Sequence, residues 1–81
     1  MSRPPPPAVK LPLMRGDTGP MVQQMQRAII AKGYTVGPAG ANGTFNDDTV
    51  SGLEAFQDNA ALTVQPECDQ ACWTALGLPD P

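Results

Sequence analysis

The side chains in this sequence that could do chemistry are eight carboxylates and two cysteines, because the chain contains no histidine. Without histidine, Ser–His and Cys–His nucleophile pairs and histidine-based zinc sites are excluded, and two cysteines alone cannot complete a structural zinc site. Asp47 and Glu54 could share a helix face, but their spacing corresponds to about 10.5 Å of helical rise, which exceeds the carboxylate separation in glycosidases. We therefore expect a protein that is not an enzyme, with no catalytic residue, no metal and no cofactor.

The two cysteines, Cys68 and Cys72, are four residues apart, and this spacing leaves two states open. Within one regular helix their Cβ directions would fit a disulfide poorly. If Cys68 precedes the helix, a bridge is feasible, and it would add about 2 kcal/mol to a small domain in an oxidising environment. The alternative is a pair of buried free thiols.

The length and charge of the chain limit its partners. Its 81 residues allow one small domain, too small to enclose a deep cavity, so a ligand would meet a shallow groove or a flat face on a monomeric module. The net charge is −3 and the five basic residues are scattered, which argues against nucleic acid and against an anionic membrane surface. No run of residues approaches the roughly 20 apolar positions of a membrane span, and the N-terminus lacks the pattern of a signal peptide.

Proline content divides the chain into three parts. We expect residues 1–12 to be a Pro-rich linker or tail, in which Pro4–Pro7 adopt the extended polyproline II conformation and act as a stiff spacer. Residues 13–78 are expected to form the folded module, and residues 79–81 a short C-terminal tail.

Three segments of the module carry helix signals. The first begins at Pro20, which suits a first helical turn, and ends at Lys32–Gly33. The second follows Asn46, a good N-cap, and the third has an apolar side formed by residues near Trp73. The predicted helices are 20–32, 47–59 and 69–76. Between the first two, Asn42-Gly43 could form a tiny hairpin.

Several residues could be either structural or ligand-binding. We expect the aromatic rings of Phe45, Phe56 and Trp73 to lie in the core, because each ring buries a large apolar area. The amides of Gln26 and Gln57 each follow an apolar residue on a helix face, and we expect them to satisfy backbone groups of facing loops. Tyr34, at a helix exit beside a Gly-rich loop, is equally compatible with a groove or a structural role.

Three fragments in order resemble the peptidoglycan-binding domain found at the ends of bacterial cell-wall hydrolases. The resemblance covers roughly Leu13 to Leu78. The fragments are Leu13-Met14-Arg15-Gly16-Asp17-Thr18-Gly19-Pro20 with Val22, Met25-Gln26, Ile29 and Gly33-Tyr34; Asn42-Gly43-Thr44-Phe45-Asn46 with Thr49, Leu53 and Phe56-Gln57; and Leu62-Thr63-Val64 with Cys72-Trp73-Thr74-Ala75-Leu76. The corresponding family patterns are Leu-Arg-x-Gly-Asp-x-Gly, Val-x-x-Leu-Gln and Gly-Tyr for the first fragment. They are Asp-Gly-x-Phe-Gly, Thr, Ala-Val and Phe-Gln for the second fragment, and Thr-Trp-x-x-Leu for the third.

This sequence departs from the family pattern at a few loop and helix positions. Asn42 replaces the usual Asp and Asn46 the usual Gly, Gly52 stands where Ala is expected, and Ala61 stands where Gly is expected. Gln65-Pro66 stands where the family has a second Asp-Gly turn. These changes leave the fold credible and alter the loops that would frame a ligand groove.

The resemblance implies an all-α, compact three-helix fold that binds bacterial peptidoglycan without cutting it. Peptidoglycan offers many carbonyl and carboxylate acceptors, and the polar stretch that leads into the second helix offers free N–H groups. The residues that we expect to border the ligand are Asp17, Tyr34, Asn42, Thr44, Asn46, Asp47 and Thr49.

The expected role is to target an attached or associated activity, such as a cell-wall hydrolase or a phage endolysin, to the extracytoplasmic bacterial cell wall. Two alternatives remain open at this point: a displayed structural module of a phage virion or other assembly, and a protein–protein interaction module on the same fold.

Overall fold

The computed structural model describes residues 11–79, which form three helices and one pair of very short strands. In chain order the elements are β1 (Leu13–Met14), α1 (Pro20–Ala31), α2 (Asp47–Asn59), β2 (Glu67–Cys68) and α3 (Gln70–Ala75). Most of the predicted Pro-rich tail, residues 1–10, and the last two residues of the predicted C-terminal tail lie outside the described residues.

Helix α1 confirms the first prediction, with its end one residue earlier. Pro20 lies at its start, where the missing N–H costs no hydrogen bond, and no side chain caps this end. The backbone N–H of Lys32 donates to the carbonyls of Ala28 and Ile29 and closes the last turn. The buried face holds Val22, Met25, Gln26 and Ile29, at the spacing of one helical stripe.

Side-chain caps set the starts of the other two helices. The side chain of Asn46 accepts a hydrogen bond of 2.9 Å from the N–H of Thr49, which confirms the predicted cap of α2. Asp69 caps α3 in the same way and accepts from the N–H of Cys72 at 3.0 Å. The third predicted helix, 69–76, is therefore shorter, because Asp69 is the cap and lies outside the helix.

The predicted three-helix fold is confirmed, and two findings change its details: a small strand pair is added, and the possible hairpin near Asn42 is replaced by an isolated bridge. Strands β1 and β2 pair antiparallel, with Leu13 opposite Cys68, and join the two ends of the module. In the described chain Thr44 pairs with Thr18 in an isolated bridge instead of pairing across the Asn42-Gly43 turn. The strands hold two residues each, too few to show an alternating pattern in the sequence.

One hydrophobic core joins all three helices. Trp73 and Phe45 are 1% exposed and Phe56 is 5% exposed, which confirms that these rings are structural. The indole N–H of Trp73 donates to the carbonyl of Pro79, so its one polar atom is satisfied. The other core side chains are Leu13, Val22, Met25, Ile29, Val36, Leu53, Cys68, Cys72 and Leu76.

Cys68 and Cys72 are free, buried thiols in the structure. Of the two states that the sequence left open, the structure therefore has the pair of buried free thiols and not the disulfide. Cys68 lies on β2 and Cys72 in the first turn of α3, and the Cys68 thiol donates to the carbonyl of Asp69 at 3.8 Å. The neighbouring Cys72 side chain, together with burial, raises the pKa of the Cys68 thiol above its ordinary value. A thiol held protonated and away from solvent is a poor nucleophile.

We expect the two thiols to resist labelling in the folded protein, because their side chains are only 0% and 2% exposed. Freshly desalted protein mixed with a thiol-reactive dye should label slowly under native conditions and should label at two sites in denaturant. Equal labelling rates in the two conditions would contradict the buried arrangement.

Candidate functional site

The polar loop before α2 is held by one buried amide on α1. The side-chain carbonyl of Gln26 accepts from the N–H of Gly43 at 2.8 Å, and its amide donates to the carbonyl of Thr44 at 2.9 Å and to the hydroxyl of Thr49 at 3.0 Å. Gln26 and Thr49 are both fully buried. The prediction that this amide satisfies a facing loop is confirmed.

Gln57 repeats this arrangement on α2. Its side-chain carbonyl accepts from the N–H of Gln65 at 2.9 Å, and its amide donates to the carbonyl of Glu67 at 2.9 Å. It therefore fixes the chain that leads into β2. The two glutamines therefore have equivalent structural roles, since each binds the backbone of a facing segment.

The structure places six of the seven predicted ligand residues in local structural contacts. Asp17 accepts from the N–H of Met14 at 2.9 Å in a turn, and Asn42 accepts from the N–H of Thr44 at 3.0 Å. Asn46 and Thr49 belong to the cap of α2. Asp47 forms a surface ion pair with Arg15. A ligand role for these residues stays a prediction, and for Thr49 it would require the cap to open.

The seventh predicted residue, Tyr34, lies between two hollows on the surface of α2. The larger hollow has a volume of about 330 Å³ and the smaller about 130 Å³. Lining the larger hollow are Gly33, Tyr34, Thr35, Gly37, Asp48, Ser51, Gly52 and Ala55. Lining the smaller hollow are Lys32, Tyr34, Phe56, Asn59 and Ala60. We call the two hollows together the α2 groove.

One face of α2 forms the floor of this groove. From Asp48 to Ala60 the floor residues recur at intervals of three and four, so they lie in one row along the helix, over about 18 Å of rise. Most of them are small, and the helix surface is therefore open. The ring of Tyr34 packs edge-on against Phe56, with centroids 6.2 Å apart, and this contact fixes the ring across the row.

Two glycines set the distance between α2 and the wall of the groove. A Cβ on Gly52 would lie 2.1 Å from the carbonyl oxygen of Thr35, and a Cβ on Gly37 would lie 2.5 Å from the Cβ of Asp48. Gly37 also has a φ of +96°, which favours glycine. The segment that holds Tyr34 therefore lies directly on the helix because Gly52 has no side chain.

Sequence reasoning did not select Asp48, Ser51, Ala55 or Lys32 as site residues. The signal that could have found the first three is their spacing, since positions 48, 51 and 55 share a helix face with Gly52. Lys32 could not have been found from its own pattern, because it reaches the groove only when α1 and α2 are packed together.

Two general features of the described chain bear on the chemistry of the site. Along residues 11–79, no helix combines the length and the apolar character needed to cross a membrane. In the same range, no three Cys, Asp or Glu side chains are grouped closely enough to hold a metal ion.

Replacing Gln26 by Leu should lower the free energy of unfolding by about 2–3 kcal/mol, because the buried N–H of Gly43 and carbonyl of Thr44 lose their partners. Chemical denaturation checks this value. Gln24→Leu is the matched control, since it makes the same change at an exposed position of the same helix. Equal stability of the two variants would show that the Gln26 hydrogen bonds contribute nothing.

Gly52→Ala should also destabilise the fold, by about 1–3 kcal/mol, because the new methyl group collides with the Thr35 carbonyl and the overlap outweighs the better helix propensity of alanine. Ser51→Ala on the exposed neighbouring position is the control and should change stability little. A Gly52→Ala variant more stable than the parent would contradict the close approach.

Comparisons with known proteins identify the fold and the family. The family model described as "Putative peptidoglycan binding domain" matches residues 18–76. The N-acetylmuramoyl-L-alanine amidase CwlL of Bacillus licheniformis is 33% identical over 52 residues. That match covers 64% of this chain and only 14% of CwlL.

Two crystal structures are similar over most of the chain. The SleB N-terminal domain superposes with a TM-score of 0.77 at 24% identity, covering 84% of this chain and 90% of that one. The Burkholderia AP3 phage endolysin superposes with a TM-score of 0.74 at 27% identity, covering 88% of this chain and 27% of the endolysin. Since the family model matches well over half of the residues, the resemblance seen in the sequence is confirmed and this chain belongs to the peptidoglycan-binding domain family.

Proposed function

We propose that this module binds bacterial peptidoglycan without cutting it and holds an attached or associated activity at the cell wall. The observation that carries the proposal is the α2 groove, two surface hollows that share Tyr34, on a chain of this family. CwlL is named as an amidase and the AP3 protein as an endolysin, and this chain spans only 14% and 27% of their lengths. A wall-targeting part within a longer hydrolase is consistent with these proportions.

The groove suits a linear polymer better than a compact ligand. Its two hollows follow one another along α2 on either side of Tyr34, and this linear arrangement suits an extended chain. Tyr34 presents a fixed aromatic ring in its middle, and such rings make large apolar contacts at low entropic cost. Each contact need not be strong, because a sacculus presents many sites and keeps the local concentration high.

The side chains of the groove favour binding over hydrolysis. The groove residues include one carboxylate, Asp48, whereas glycoside hydrolysis uses two. Ser51 lies beside it, but the sequence has no histidine to activate a hydroxyl nucleophile. Asp47, the other acid considered at this end of α2, is paired with Arg15.

Blocking the groove should abolish binding while leaving the core intact. Ala55 is exposed and lines the larger hollow, so Ala55→Trp should fill it and lower the affinity for insoluble peptidoglycan sacculi by at least about tenfold. Ala71→Trp, at an exposed position of α3 that lines neither hollow, is the matched control and should bind like the parent. The measurement is co-sedimentation over a range of sacculus concentrations, with folding checked by circular dichroism.

The same samples test both parts of the proposal. Folded parent protein that stays in the supernatant would refute wall binding, and equal binding by Ala55→Trp would move the site away from the groove. Release of reducing sugars or free amines from the sacculi by pure protein would refute the non-catalytic role.

A further inference from the structure

The two ends of the α2 groove carry opposite charges. Asp48 lines the hollow at the N-terminal end of α2, and Lys32 lines the hollow near its C-terminal end. Both side chains are exposed. Among residues 11–79 the salt bridge joins Arg15 to Asp47, and neither Asp48 nor Lys32 takes part in it. The two charges are therefore available to a ligand.

The lining between these charges is uncharged. The larger hollow contains glycines, Ala55, the hydroxyls of Thr35 and Ser51, and the ring of Tyr34, so Asp48 is its one ionised group. A ligand carboxylate would be repelled at this end, whereas an ammonium group would gain an ion pair beside an apolar surface. Beside Lys32 a ligand carboxylate would gain an ion pair and an ammonium group would be repelled.

The length of α2 that the two hollows cover indicates the size of the ligand. Asn59, which lines the hollow of Lys32, lies about 16 Å of helical rise beyond Asp48. An extended peptide advances roughly 3.3–3.6 Å per residue, so about four or five residues cover this distance. A neutral amino-sugar strand has the necessary length but lacks an ammonium group to match Asp48.

From these observations we propose that the α2 groove binds the stem peptide of peptidoglycan, with a free side-chain ammonium of the peptide at Asp48 and a peptide carboxylate at Lys32. This inference rests on the proposed function and specifies which part of the polymer is recognised. The helix dipole favours both Asp47 and Asp48 in the first turn of α2, but Asp47 is paired with Arg15, and of the two Asp48 alone lines the groove.

Chemical modification of the wall separates the peptide from the glycan. Sacculi acetylated with acetic anhydride lose the free ammonium groups and keep the glycan strand. We expect the parent protein to bind acetylated sacculi about two- to fivefold more weakly than mock-treated sacculi, as for one exposed ion pair. Asp48→Asn should bind mock-treated sacculi more weakly by a similar factor and should no longer distinguish the two preparations.

The chain offers matched controls for both charges. Asp58→Asn removes an exposed carboxylate from the same helix outside the groove and should behave like the parent. The parent should bind sacculi whose carboxylates are amidated more weakly than untreated sacculi. Lys32→Gln should bind both preparations equally, whereas Arg27→Gln, at an exposed position of α1, should behave like the parent.

The outcomes distinguish this inference from the proposed function. If the parent binds acetylated and mock-treated sacculi equally, or if Asp48→Asn stays sensitive to acetylation, peptide recognition at Asp48 is refuted and wall binding stands. If folded parent protein binds neither preparation, the proposed function fails and this inference fails with it.

Discussion

Two buried glutamine amides hold the loops of this small protein in place. Gln26 and Gln57 are completely buried, and each joins a helix to the backbone of a segment distant in sequence. A domain of this size buries little apolar surface, so apolar packing alone does little to fix its loops. A buried amide without hydrogen-bond partners is energetically costly. These side chains therefore favour the one arrangement of the facing chain that supplies those partners. The two loops are therefore ordered by hydrogen bonds that water cannot replace.

The position of the candidate site follows from this constraint. Gln26 on α1 is hydrogen-bonded to Gly43 and Thr44 of the polar loop before α2, and Asn46 of the same loop caps α2, so these polar groups are already paired. The open surface is found on α2, where small side chains face the segment that holds Tyr34. The absence of a side chain at Gly52 lets that segment lie on the helix and frames the groove.

The departures from the family pattern have local physical consequences. Gly52, where the family has Ala, makes room for the Thr35 carbonyl. Ala61, where the family has Gly, has a φ of 60°, a left-handed conformation that costs a residue with a Cβ roughly 1–2 kcal/mol. Gln65, in place of an Asp-Gly turn, still donates its N–H to Gln57, so the buried amide keeps its partner although the turn has changed.

The sequence by itself determined the three helices, the start of α1 at Pro20, the cap of α2 at Asn46, the aromatic core and the structural role of the two glutamines, because periodicity, capping and burial of apolar rings act over a few residues. Only the tertiary structure decided the pairing of β1 with β2, the free state of the cysteine pair, and the groove with Asp48 and Lys32 at its ends. The strand pair and the groove depend on segments that are distant in sequence and brought together by packing, whereas the state of the cysteines depends on how β2 packs against α3. A two-residue strand shows no period, and the charge of a lysine at the end of one helix does not indicate which other helix it will face.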